Sequence, residues 1–275
     1  MKELKFNMNY FFKKKELYFM IIFLLLVVIM NVIFATKENT SRIDDFKETI
    51  QTAESLTIFG GGEIWILLPL CLLSIPIFSA LIFSDVNWVE RKEKMDYLLY
   101  NRLSYTKNII IRFFLTIIGT FLIVFVALML DYLCLSYLYG NGPILDKVGG
   151  AAFNFIQNID FLKQFSYTNP ISHTILCNIH ISILFGLLAG FSYTCSFFIK
   201  QKVILYFQGP VILLVMEVLF GSINIGGYYL RHFSLLTQLQ LSVGEYVNAI
   251  VLYIFLFLVS NILIMIHLRK KDVLL

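Results

Sequence analysis

The sequence predicts an all-α, polytopic integral membrane protein with six transmembrane helices and both termini in the cytoplasm. Three observations carry that expectation. Hydrophobic residues make up 59% of the 275 and charged residues only 15%, and the mean hydropathy is +0.79, whereas a soluble domain has about 25% charged residues. Six apolar stretches reach the roughly 20 residues that a helix needs to cross hydrocarbon. The basic residues alternate in density along the chain: of 22 Lys and Arg, sixteen fall inside and six outside if six spans start from a cytoplasmic N-terminus. That excess is the positive-inside pattern.

The spans are expected at 17–35, 64–83, 109–130 (or on to 139), 171–199, 203–221 and 246–267. The second carries Pro69 and Pro76, and the fourth is rich in small residues. Only Lys200, Gln201 and Lys202 separate the fourth from the fifth, which suits a tight cytoplasmic hairpin with its cationic tips at the headgroups.

Residues 1–16 precede the first span. Leu4, Met8, Phe11 and Phe12 fall close to one helical face with Lys5, Asn9 and Lys13 beside them. This stretch is either an interfacial amphipathic helix or a basic flank that only sets topology. The apolar run after it is 19 residues long and is followed by polar "TKENTSR" with no small-x-small cleavage signal, so a retained span is expected rather than a signal peptide.

Three segments face outside: 36–63, with the acidic "SRIDDFKETIQTAES" and a flexible "FGGGE"; 140–170, with the turn signals "GNGP", "GG" and "TNP"; and 222–245. None is long enough for a folded extracellular domain. "FGGGE" lacks the Lys-Ser/Thr pair of a phosphate loop, and no G-x-x-x-x-G-K-[ST] occurs elsewhere, so any ATP must be handled by a partner. No H-E-x-x-H or G-x-S-x-G occurs, and no catalytic or metal-ligating residues are assigned. Cys71, Cys134, Cys177 and Cys195 lie in or beside spans without a C-x-x-C and read as small apolar residues. No nucleic-acid partner is expected.

Two features lie within the spans. Ser182, Gly186, Gly190 and Thr194 recur every four residues, a small-residue stripe that serves either tight helix packing or a substrate path. Glu217, in "LLVMEVLF", is the acid expected inside a span. It falls in the outer leaflet, about 21 Å along a helix from Val203 at 1.5 Å per residue, and either pairs with a base such as Arg231 or meets a cationic substrate group.

The stretch 84–107, "SDVNWVERKEKMDYLLYNRLSYTK", carries charges of both signs between spans two and three. Trp88, Met95 and Leu99 share one helical face at i, i+7 and i+11, with Glu90, Arg91, Glu93 and Lys94 elsewhere. Mixed charge around an apolar stripe suits docking to a protein surface better than lying on anionic lipid.

This segment resembles the cytoplasmic loop between spans two and three of type-2 ABC-transporter permeases, the six-span exporter subunits. There an acid ends span two, a short coupling helix with a further acid follows, then an Arg and Ser/Tyr stretch, and a Lys begins span three. Asp85, Glu90 or Glu93, Arg102 with Ser104 and Tyr105, and Lys107 fill those places. The N-terminal "LKFNMNYFFKKKELYF" is similar to the family's interfacial helix, and "HLRKKDVLL" to its basic ending. The glycine that commonly follows the coupling acid is replaced by Lys94-Met95-Asp96.

The resemblance implies a single permease domain over 1–275 in the plasma membrane, not itself an enzyme. A separate cytoplasmic ATPase would bring ATP and Mg²⁺ and dock on the 84–107 loop, and a second permease, identical or homologous, would complete the transporter. The coupling residues would be Asp85, Trp88, Glu90, Glu93, Met95, Leu99, Arg102, Tyr105 and Lys107; the substrate path would include Glu217, Gly186 and Gly190. The exported substrate would be amphiphilic: peptide, lipid or drug. The rival expectations are a secondary transporter driven by an ion gradient and an intramembrane enzyme.

Overall fold

The computed structural model describes residues 2–43, 53–59, 67–92, 105–141, 168–221, 224–225, 228–229, 233–239 and 246–272. Its long elements are helices: α1 (Lys2–Phe12), α2 (Lys15–Ile43), α3 (Ala53–Leu56), α4 (Leu67–Ser79), a π-helical turn (Ala80–Ser84), α5 (Asp85–Lys92), α6 (Tyr105–Tyr139), α7 (Pro170–Cys195), α8 (Lys202–Gly221), α9 (Leu235–Leu239) and α10 (Tyr246–Asp272). Between α8 and α9 a two-residue antiparallel pairing joins Asn224–Ile225 to Tyr228–Tyr229. Among the described residues six helical segments are long and apolar enough to cross a membrane: Lys15–Thr36, Leu67–Glu90, Tyr105–Tyr139, Pro170–Cys195, Lys202–Phe220 and Ala249–Arg269.

Some boundaries differ from those expected. Span two does not stop at residue 83; its helix runs through a π turn into α5, so Asp85–Lys92 continues the span instead of following a break. Pro76, which lacks the N–H that would bond the Leu72 carbonyl, stands one turn before the π segment. Ser79 donates to the Pro76 carbonyl at 2.9 Å, and the extra residue of the π turn re-aims everything after it. Span three takes the longer alternative, to Tyr139. It ends where Gly140 adopts φ +73, a left-handed conformation that favours glycine.

The fourth span is the axis of the bundle. In its most apolar window 72% of residues are buried, against 28% in spans five and six. Its small-residue stripe is what allows this. At Gly186 an added Cβ would lie 2.8 Å from the Ile117 carbonyl oxygen, and at Gly190 one would lie 2.7 Å from Ile117 Cγ1. Spans three and four therefore meet with backbones almost in contact. A second close approach sets Gly209 of α8 against the Pro76 ring, 2.6 Å from a would-be Cβ.

The outer faces keep their apolar side chains exposed, as lipid contact requires: Phe19 is 63% exposed, Val203 66% and Val218 72%. The terminal end of the bundle holds α1, the start of α6 and the end of α10, which are joined by side-chain hydrogen bonds from Asn7 to Asn108 and between Tyr105 and His267. The opposite, distal end holds α3 and α9. α3 is tied to the end of α6 by the Ala53 N–H donating to the Gly140 carbonyl at 3.2 Å.

Candidate functional site at the terminal end

α5 presents two polar faces, set by helical spacing. Asn87 and Glu90, with Val86, turn into the bundle; Asp85, Trp88 and Lys92 turn towards the start of α8. The inward face builds a buried latch. Arg112, 3% exposed and one turn beyond Asn108 on α6, donates from both terminal nitrogens to the two Glu90 oxygens at 2.6 and 2.8 Å. Its Nε donates to Asn7 Oδ1 at 2.8 Å, and Asn7 Nδ2 donates to Asn108 Oδ1 at 2.7 Å. A guanidinium buried at this depth needs a forked carboxylate and saturated N–H groups. Here α5 supplies the carboxylate and α1 supplies the amide. Asn87 Nδ2 donates to Ser196 Oγ at 3.0 Å, which adds the end of span four.

The second face reaches the hairpin between spans four and five. Tyr206 donates to Asp85 Oδ1 at 2.9 Å, and Lys202 Nζ lies 3.1 Å from the same oxygen. Trp88 Nε1 donates to the Lys200 carbonyl at 2.9 Å. The Lys92 and Lys202 ammoniums sit over the indole at 5.0 and 5.5 Å from its centroid. α5 is thereby held to α6, the end of α7, the hairpin and the start of α8 by named polar contacts, and α1 joins through Arg112.

The amphipathic face of α1 differs from the one the pattern suggested. Asn7 and Phe11 point into the bundle, whereas Met8 and Phe12 remain exposed beside Phe6 and Tyr10. α1 thus rests an apolar surface outward while an amide plugs inward, which fits an interfacial helix latched from below. In the turn after α1, burial pushes the Lys14 ammonium below its ordinary value, with the Asp85 and Glu16 carboxylates opposing. Burial, and next the Glu90 charge, push the Tyr10 phenol up.

Of the residues assigned to coupling, Asp85, Trp88 and Glu90 are brought together on α5 as above. Tyr105 shares a 2.8 Å hydrogen bond with His267, whose ring stacks on Phe197 at 4.2 Å, so α6 is also pinned to the end of span six. Lys107 is exposed. Glu93, Met95, Leu99 and Arg102 lie outside the described residues, as does Arg231. The residues assigned to a substrate path are not gathered at one place. Gly186 and Gly190 are filled against Ile117. Glu217 lies at the distal end and accepts a hydrogen bond from Ser234, next to α9.

Three side-chain roles escaped the sequence reading. Arg112, counted there as a cytoplasmic charge, is a buried ligand of Glu90. Glu217 is not the one acid within the spans: Asp131 of α6 is 1% exposed, accepts from Asn31 Nδ2 at 2.7 Å and from the Ile58 N–H at 3.0 Å, and so closes residues 53–59 over spans one and three. His180 is enclosed between α9 and α10. Its Nε2 meets the Gln238 carbonyl at 3.2 Å, so that nitrogen carries the proton, and the Tyr253 hydroxyl donates to Nδ1. The available signal was polarity inside apolar runs: Asn31 within "VVIMNVIF" and Asp131 within "LMLDYL" had to find partners. Among the described residues no three His, Cys, Asp or Glu side chains gather as a metal site. No protein-family model, curated protein or solved structure matches this chain.

Proposed function

We propose that the chain is the membrane-spanning permease subunit of an ATP-binding-cassette exporter, with both termini cytoplasmic, working in the plasma membrane beside a second permease chain. A separate cytoplasmic ATPase docks on the 84–107 loop and supplies ATP and Mg²⁺. The observation that carries this reading is α5 itself. It leads directly into the charged loop at one end and is continuous with span two at the other. Through Glu90, Asn87, Asp85 and Trp88 it is fastened to α6, to the end of span four and to the hairpin that starts span five. A push on the loop is therefore delivered to several spans at once, as a coupling device requires. For the substrate, an apolar recess of about 410 Å³ on the flank between spans one and three, lined by Ile21, Leu25, Leu122 and Val126 among others, supports an amphiphile approaching from the bilayer.

Purification in mild detergent tests the reading. A roughly equimolar ATPase is expected to accompany the chain, with substrate-stimulated hydrolysis that Trp88→Ala or Glu93→Lys abolishes while the permease still inserts. Wild-type stimulation in both variants removes the coupling role. One observation favours a second reading, a transporter driven by an ion gradient: buried Asp131 with Asn31 is a carboxylate of the kind that proton- or cation-coupled carriers use. Transport by the chain alone in vesicles, driven by a pH or sodium gradient without ATPase, selects that reading.

A further inference from the structure

The lysines around Trp88 form a group that the coupling role does not use. The Lys92 and Lys202 ammoniums lie over the indole ring, and Lys200 borders the same recess. Lys92 stands one turn after Trp88 on α5, and Lys200 and Lys202 flank the hairpin into α8. Among the described residues their charges are not balanced in the same way. Lys202 is matched by Asp85, which Tyr206 also holds. Glu90 faces the other way and is taken by Arg112. Lys92 and Lys200 are exposed, and they border a recess of about 370 Å³ with Trp88 and Ile199. Two cationic residues bordering one recess favour an anion within it.

The surroundings indicate which anion. The indole is locked edge-on by its hydrogen bond to Lys200, and a Trp with its polar edge engaged marks the headgroup level of a bilayer. Directly beyond the lysines, α8 turns Val203, Phe207 and Val211 outward at i, i+4 and i+8, each more than half exposed. A cationic recess at the membrane surface thus opens onto an apolar track that runs along the hydrocarbon. That sequence of chemistries, anion acceptor then aliphatic stripe, is the complement of one anionic phospholipid. We propose that Lys92 and Lys200, beside the Trp88 ring, bind the phosphate of an anionic phospholipid in the leaflet at the terminal end, its acyl chains lying along Val203, Phe207 and Val211. Lipid bound there would brace α5 against the start of α8, on the flank away from the Glu90–Arg112 latch.

The test uses the purified full chain, with neither ATPase nor substrate. Wild-type chain is reconstituted into nanodiscs of phosphatidylcholine with increasing phosphatidylglycerol, and bound lipid is read by native mass spectrometry and thermal melting. Phosphatidylglycerol is expected to remain bound and raise Tm, and phosphatidylcholine to do neither. Lys92→Gln/Lys200→Gln should weaken phosphatidylglycerol binding roughly thirtyfold, since each near-surface lysine contributes about 1 kcal/mol. In phosphatidylcholine alone it should melt with wild type. Raising the salt concentration should reproduce the loss in the wild-type chain, which keeps the test independent of any folding defect in the variant. Inorganic phosphate at tens of millimolar should not displace the lipid. Equal phosphatidylglycerol binding in variant and wild type overturns the site, and full displacement by inorganic phosphate overturns the lipid as its ligand.

Discussion

Arg112 is the residue on which the terminal end turns. Arg112 is buried and its partner Glu90 partly so, and removing Glu90 leaves the guanidinium charged and poorly solvated, at a cost of up to about 3–5 kcal/mol. Arg112→Met and Glu90→Gln are each expected to lower the melting temperature markedly in detergent. Arg112→Met should also loosen α1, because Asn7 loses the Nε donor. The double variant should melt higher than the two single losses predict, since no orphan charge remains. Additive losses would show that the pair is not coupled. Lys14 contributes with the opposite sign. Burial depresses its folded pKa below the ordinary value of about 10.4. Below the folded pKa both states are protonated and burial is a constant cost. From there up to about 10.4 the unfolded chain holds more protons, so stability rises with pH. Lys14→Met should therefore raise Tm at pH 7, and the gain should shrink as pH approaches 10. A gain that does not change with pH would mean that the charge is not what burial penalises.

Between elements, the crossing of spans three and four decides how closely the bundle packs. The two glycines are not equivalent there. At Gly186 the obstacle is the Ile117 carbonyl oxygen, part of a rigid helix backbone, whereas at Gly190 it is the Ile117 side chain, with Phe113 next at 3.1 Å. Overpacking of this kind costs about 1–3 kcal/mol. Gly186→Ala is expected to destabilise more than Gly190→Ala, and Ile117→Ala should rescue only Gly190→Ala. Thermal melts of the two double variants check this; equal rescue of both would mean that the backbone contact at Gly186 relaxes freely. The same element contrast explains the distal end. Residues 53–59 and α9 are short, so their order comes from docking onto long helices: Ile58 onto Asp131, Gln238 onto His180 and Ser234 onto Glu217.

For the whole molecule, the expected topology is open to direct measurement. Single cysteines at Asn39, Asn141 and Asn224, in a chain with Cys71, Cys134, Cys177 and Cys195 replaced, should label with an impermeant reagent in intact cells. Cysteines at Asn101 and Gln201 should label only after lysis. Labelling of Gln201 from outside would overturn the short hairpin between Cys195 and Lys202 as a cytoplasmic turn. It would also move the lysine site around Trp88 to the outer leaflet.

Six spans, their approximate ends and the small-residue face of span four were legible in the sequence, because hydropathy over about 20 residues and a spacing of four are local properties of one helix. The candidate coupling acids could likewise be picked out, since Asp85 and Glu90 stand in a charged stretch between apolar ones. What they touch could not. Glu90 meets Arg112 across 22 residues, Asn7 meets Asn108 across 101, and Asn31 meets Asp131 across 100. No periodicity encodes such pairings. A buried polar group in hydrocarbon must be satisfied, but which partner satisfies it depends on helix rotation and crossing, and those follow from packing around Gly186, Gly190 and Gly209. The sequence alone determined that the chain lives in a membrane and where it crosses; the tertiary structure decided which of its few charges are buried ligands and which, like Lys92 and Lys200, remain exposed at the surface.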